Sequence, residues 1–162
     1  MLRTIKHRKK EHKTDYAKRI KLLKSKSPRI VFRRTNKYII AQYVESEEAK
    51  DKVKVGVSSK ILLKYGWDKK AEGSLKSITA SYLTGLLFGK KIKGMPEPIV
   101  DIGMNRNLHK TKVFGFIQGL IDAGIKIKCK KEAFPSEDRI QGKHLKNKVN
   151  FTEIKSKIEK EK

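Results

Sequence analysis

The sequence predicts a single α/β (α+β) domain: a mixed β-sheet covered by helices mainly on one face, with a basic N-terminal arm and a charged C-terminal tail. Three observations lead there. Three β-rich segments come first, and two apolar helical segments then flank a fourth, an order that calls for one sheet and one helical layer. At 162 residues and 18.7 kDa the chain is long enough to bury one substantial core. The formal net charge is +24, and half of it lies in residues 1–34, which hold 14 Lys and Arg against 2 acids. The expected divisions are an arm over 1–28, a globular domain over 29–128 and an extension over 129–162.

Within the arm, "KTDYAKRIKLLKSKSP" reads as a short helix. Thr14 is placed to cap it, Asp15 suits the positive end of its dipole, and Pro28 stops it. Tyr16, Ile20 and Leu23 fall on one face, a narrow stripe for docking. "RIVFRRTNKYIIAQYVES" reads as a β-hairpin turning at Arg34–Lys37. "ESEEAKD" supplies a second turn and "VKVGVSS" a third strand. Ser58 or Ser59 caps a short helix, "KILLKYG", and a polar linker runs from Asp68 to Lys76.

"SITASYLTGLLFGKKI" then reads as a buried helix, "PIVDIGM" as a fourth strand, and "TKVFGFIQGLIDAG" as a second buried helix ending at Gly124. The pairs Gly85/Gly89 and Gly115/Gly119 are expected to let each helix sit close on the sheet. "IKI" (125–127) is a candidate fifth strand. "FTEIKSKIEKEK" has little apolar content and is expected to be frayed, or ordered only by a partner.

Several kinds of chemistry are excluded. Cys129 is the only cysteine, so one chain can form neither a disulfide nor a Cys-based zinc site. No apolar run approaches the roughly 20 residues of a membrane span, and the N-terminus lacks the apolar core of a secretory signal. A cytoplasmic protein is expected. The four histidines show no ligand spacing, and no phosphate-cradling glycine loop or nucleophile elbow is present. Asp101, at a strand end, could serve as a Mg²⁺ ligand only if other acids converged on it; ordering the next loop is the preferred role. No catalytic residue, metal ligand or cofactor is assigned.

The charge pattern favours nucleic acid. In the arm the candidate contacts are Arg8, Lys9, Lys10, Lys13, Arg19, Lys24, Lys26 and Arg29, with Tyr16. At the hairpin they are Arg33, Arg34, Thr35, Asn36, Lys37 and Tyr38, a mixture of cations, amide and aromatic ring suited to phosphate, sugar and unstacked bases. The loop "MNRNLHKTK" adds Arg106, His109, Lys110 and Lys112 at a helix start, where free N–H groups also favour anions. A basic protein that packages nucleic acid without preference is the competing reading, and a metal-dependent nuclease a weaker one.

The segments "KTDYAKR", "LLKSKSPR", "VFRRTNKYIIAQ", "YGW", "ASYLTGLLFG", "DIG", "VFGFIQGLIDAG" and "FPSEDRIQGKH", in this order and spacing, resemble the large-subunit ribosomal protein eighteen family in its archaeal and eukaryotic branch. The resemblance covers residues 8–145 and is of the archaeal type. It implies a non-enzymatic part of the large ribosomal subunit that binds 5S ribosomal RNA. Such proteins help attach that RNA to the large-subunit ribosomal RNA at the central protuberance, beside ribosomal protein five. By the same resemblance Arg8–Arg29 would lie between the two RNAs, disordered or partly helical until bound. The hairpin would grip 5S RNA, and "FPSEDRIQGKH" would pack back on the domain or meet a neighbour, with Glu137, Asp138 and Arg139 forming a local ion-pair and capping element. The chain departs from the family after "DIG", where Asn105, Arg106 and Asn107 replace a usual His-Arg-Pro run and Lys110 stands where glycine is common.

Overall fold

The computed structural model describes residues 6–48, 50–145 and 149–160. The start of the arm (1–5), position 49, and positions 146–148 and 161–162 of the extension lie outside the described residues.

The arm forms α1 (His7–Lys10), a single turn, and α2 (Tyr16–Lys24). Asp15, not Thr14, caps α2: its carboxylate accepts from the Lys18 N–H at 3.1 Å. Thr14 is engaged elsewhere, accepting from Arg8 Nε at 2.9 Å.

Strands β1 (Arg29–Arg34), β2 (Ile39–Glu47) and β3 (Lys50–Ser58) make an antiparallel meander. Both β2 and β3 continue through the acidic segment expected to be a broad turn. Glu45 and Lys54 pair at 3.2 Å and Glu47 and Lys52 at 3.7 Å, so opposite charges face each other across the ladder. β4 (Ile99–Asp101) joins the far side of β1 in parallel, giving the order β3-β2-β1-β4. No fifth strand forms at 125–127; Ile125 and Ile127 lie against the core without pairing to the sheet.

Two 3-10 segments follow β3. In Ser59–Tyr65 the Ser58 hydroxyl accepts from the Lys60 N–H, and Gly66 closes the segment in a left-handed conformation (φ 103°). Lys69–Ser74 occupies the expected linker, which is anchored because Ala71 and Leu75 are buried and the Trp67 indole N–H donates to the Ala71 carbonyl at 3.1 Å.

The apolar layer consists of α3 (Ile78–Lys91), capped by Ser77, and α4 (Lys112–Asp122). Ile30 and Phe32 of β1 and Ile39, Ala41 and Tyr43 of β2 face it, and the Phe32 and Phe116 rings lie 5.0 Å apart. The glycine pairs serve a different contact from the one expected. A Cβ on Gly85 would stand 2.3 Å from the Phe116 carbonyl oxygen, and one on Gly119 2.2 Å from that of Tyr82. The glycines let the two helices approach each other, not the sheet.

The extension folds back. Short α5 (Glu137–Gln141) buries Ile140, and Asp138 pairs with Lys143, leaving Arg139 out of that contact. α6 (Phe151–Lys160) overturns the expectation of a frayed tail: Ile154 and Ile158 are fully buried against α3 and the Ser59–Tyr65 segment. Phe151 packs 5.7 Å from Tyr82, and Lys90 Nζ donates to the Ile158 carbonyl at 3.0 Å. Ile158→Ala is expected to cost about 2 kcal/mol, lowering the melting midpoint by about 4–8 °C in a calorimetric scan; an unchanged midpoint would show that α6 is not part of the cooperative core.

Candidate nucleic-acid interface

Period-2 alternation turns Arg29, Val31 and Arg33 away from α3 and α4, toward the face that receives the arm. On this face three arginines and two aspartates alternate. Arg19 of α2 meets Asp51 at 2.9 Å, and Asp51 meets Arg29 at 2.8 Å. Arg29 lies 3.8 Å from Asp101, and Asp101 meets Arg33 at 3.0 Å. Lys18 Nζ adds a hydrogen bond to the Gly103 carbonyl at 3.1 Å.

The arm helix thus docks through Lys18, Arg19 and the half-buried Leu22; of the expected docking stripe Tyr16 and Leu23 are half-buried as well, while Ile20 is 52% exposed. The reason is the partner surface: charged groups on this sheet face favour polar contacts over an apolar stripe. Burial pushes the Asp51 carboxyl up. Hydrogen bonds from Ser46 and Arg19 and the charges of Arg29 and Arg19 outweigh it and hold the carboxyl below its ordinary range. A lowered folded-state value means that this stabilisation is present above the ordinary carboxylate range and is lost as pH falls through the folded value.

Asp101 is the keystone of that face. Its Oδ2 accepts from Arg33, its Oδ1 accepts from the Gly103 N–H at 2.8 Å, and its backbone carbonyl accepts a further Arg33 bond at 3.0 Å. Oδ1 is therefore spent on ordering the next loop, the role preferred from sequence, and Oδ2 on the arginines of β1.

The predicted contact residues separate into groups. Arg29 is buried, its charge neutralised by Asp51 and Asp101, so it cannot reach a phosphate directly; this corrects its expected place on the surface. Arg33 is half-exposed and ion-paired. Thr35 is spent on its own turn, its hydroxyl donating to the Tyr38 carbonyl and accepting from the Tyr38 N–H, both at 2.9 Å. That turn leaves Arg34, Asn36 and Lys37 exposed at the hairpin tip. The Tyr38 hydroxyl donates to Glu72 at 2.7 Å, a bond that holds the phenol above its ordinary range.

Arg8, Lys13, Tyr16 and Arg19 of the arm line a cleft of about 650 Å³ with Arg33, Arg34, Met104 and Asn105. Lys9, Lys10, Lys24 and Lys26 are exposed outside it. A second cleft, of about 500 Å³, lies between β1, the 104–111 loop and the start of α4. It holds Arg106, Lys110 and Lys112, and shares Arg34, Met104 and Asn105 with the first, so arm, hairpin and loop form one continuous surface. His109 parts from its neighbours: its ring packs edge-on against Phe114 at 5.5 Å, in a groove beside β4. Sequence reasoning missed Arg139, which lines the second cleft from α5, and Lys76, whose charge acts on Lys112. Neither carries a local motif, and only the folding back of distant segments places them here.

Residues 2–97 match the family model described as ribosomal large subunit proteins 60S L5, and 50S L18. Over 140 residues the chain is 42% identical to the large ribosomal subunit protein uL18 of Methanoregula boonei, covering 85% of this chain and 78% of that protein. Over 156 residues it is 39% identical to the protein of the same name from Korarchaeum cryptofilum, covering 95% and 78%. That of Methanoculleus marisnigri is 41% identical over 140 residues, covering 85% and 78%. With a cationic surface assembled from three separate elements and relatives matched along most of its length, the chain belongs to the 60S L5 and 50S L18 family of large-subunit ribosomal proteins, structural constituents of the ribosome and not enzymes.

Proposed function

We propose that this protein binds 5S ribosomal RNA and helps attach it to the large-subunit ribosomal RNA at the central protuberance, beside ribosomal protein five. The observation that carries the reading is the continuity of the two clefts through Arg34, Met104 and Asn105, which joins arm, hairpin and loop into one cationic face. The family resemblance supplies the identity of the RNA. The exposed lysines of the arm, Lys9, Lys10, Lys24 and Lys26, contribute phosphate neutralisation, which carries little sequence information. The hairpin tip contributes the contacts that choose an RNA. The protein brings no cofactor of its own, and Mg²⁺ arrives only with the RNA.

The test is a titration with a 5S ribosomal RNA transcript against excess transfer RNA at two salt concentrations. Binding that survives the competitor is expected. Replacing Arg34 and Lys37 together by alanine should weaken 5S binding about tenfold, the scale of removing one charge-assisted hydrogen bond, and weaken transfer-RNA binding less. Replacing Lys9 and Lys10 should weaken both RNAs alike and flatten the salt slope by about one unit for each phosphate no longer neutralised. Equal weakening at both places would return the protein to the class of unselective packagers.

A further inference from the structure

We propose that the cleft of about 500 Å³ beside Lys112 takes one unstacked nucleotide of single-stranded RNA, its phosphate held by Arg34 and Lys112 and its base lying against Met104 and Leu108. The proposal rests on the RNA-binding reading and gives that surface a specific subsite.

Charge is the first argument. Five cations line the cleft, namely Arg34, Arg106, Lys110, Lys112 and Arg139, and no acid does. None of the five makes an ion pair among the described residues, whereas Arg19, Arg29 and Arg33 are all matched to Asp51 or Asp101. The compensation that organises the arm face stops at Arg34. Burial, and then the charges of Arg34 and Lys76, hold the Lys112 amine below its ordinary range. A phosphate seated between Arg34 and Lys112 would relieve that repulsion.

Shape is the second argument. Buried Phe32, Ile78 and Val113 form an apolar floor, and Met104 and Leu108 stand up from the loop 55% and 57% exposed. Such side chains, held out in a polar loop, offer a surface on which the face of a base can lie. The loop is fixed in place. Asn105 Nδ2 donates to the Ile102 carbonyl at 2.8 Å, the Thr111 hydroxyl to the Leu108 carbonyl at 2.7 Å, and the Lys110 N–H to the Ala133 carbonyl at 2.8 Å. Lys110 accepts a left-handed backbone (φ 57°) to make that last bond. A surface ordered beforehand loses little freedom on binding. The volume falls within the roughly 300–1,000 Å³ of small-ligand sites, which suits one nucleotide and excludes a duplex. The shared residues Arg34, Met104 and Asn105 let the adjoining RNA backbone run on into the neighbouring cleft.

Two measurements on the full chain test this. In the first, the isotope-labelled protein is titrated with adenosine and uridine 5′-monophosphates and, separately, with inorganic phosphate. All three should move the Lys112 amide resonance, but only the nucleotides should move the Met104 and Leu108 methyl resonances. If phosphate alone reproduces every shift, the cleft is a plain anion site and the proposal fails. In the second, Leu108→Ser is compared with the unaltered protein on the 5S transcript at two salts. Binding about five- to tenfold weaker is expected, with an unchanged salt slope because every cation that neutralises a phosphate is still present. Full affinity in the variant overturns the nucleotide subsite and leaves the 5S reading standing. If the unaltered protein fails to bind 5S RNA, the 5S reading falls, while the mononucleotide shifts still decide the cleft.

Discussion

Replacing Asp101 by alanine is expected to destabilise the protein by about 3 kcal/mol and to loosen the arm, although it makes a basic protein more basic still. Removing one partner of a buried ion pair typically costs about 3–5 kcal/mol, because the other charge is left in the interior. Here the stranded charge is Arg29, 2% exposed, which keeps Asp51, while the half-exposed Arg33 regains water; both considerations favour the lower end of that range. The Gly103 N–H also loses its acceptor, so the loop that receives Lys18 loosens. Denaturant unfolding should show the destabilisation, and trypsin should cut the arm faster in the variant. Asp101→Asn should fall between, since its amide oxygen can still accept from Gly103. Charge alone predicts tighter RNA binding by Asp101→Ala, whereas a disordered arm predicts weaker binding. A variant of undiminished stability would show that the alternating network is ornamental.

Gly119→Ala is expected to cost about 3 kcal/mol or more. The added methyl would stand 2.2 Å from the Tyr82 carbonyl oxygen and 2.8 Å from the Leu86 nitrogen, both backbone atoms of α3 that no rotamer change can move. Overpacking typically costs about 1–3 kcal/mol, and this contact belongs at or beyond the upper end because whole helices must separate. The gain of about 1 kcal/mol in helix propensity is too small to offset it. Gly85→Ala should behave alike, meeting the Phe116 carbonyl at 2.3 Å. Gly73→Ala, with nothing within 4 Å, is the control and should change little. Thermal unfolding of the three variants would settle it: equal midpoints for all would mean that α3 and α4 do not depend on the close approach.

The elements that sequence pattern specifies best are those whose burial is one-sided or complete. The hairpin, α3 and α4 declare themselves through unbroken β-branched or apolar runs, and the Gly124 stop of α4 through its left-handed geometry. The failures share a cause: local pattern cannot say what will lie opposite. Ile20 looked like a docking residue, but the facing sheet surface is ionic. The glycine pairs were legible as close-approach positions, though not as facing each other. α6 was missed because its apolar residues are few, yet Phe151, Ile154 and Ile158 are spaced by three and four, a helical stripe too narrow to stand out among charges. In the site, the basic character of arm, hairpin and loop was plain from composition. Which cations are matched by acids was not, because Asp51 and Asp101 reach Arg29 from strands 22 and 72 positions away in the chain.

The docking of α6 also bears on how the polypeptide matures. The surface that Ile154 and Ile158 cover belongs to α3 and the Ser59–Tyr65 segment, both synthesised long before residues 151–160. Until α6 emerges, the nascent chain presents an uncovered greasy seam beside a cationic arm, a combination that invites aggregation and premature association with nucleic acid. A chain arrested before residue 151 would carry arm, hairpin and loop yet leave that seam on α3 and the Ser59–Tyr65 segment open to solvent.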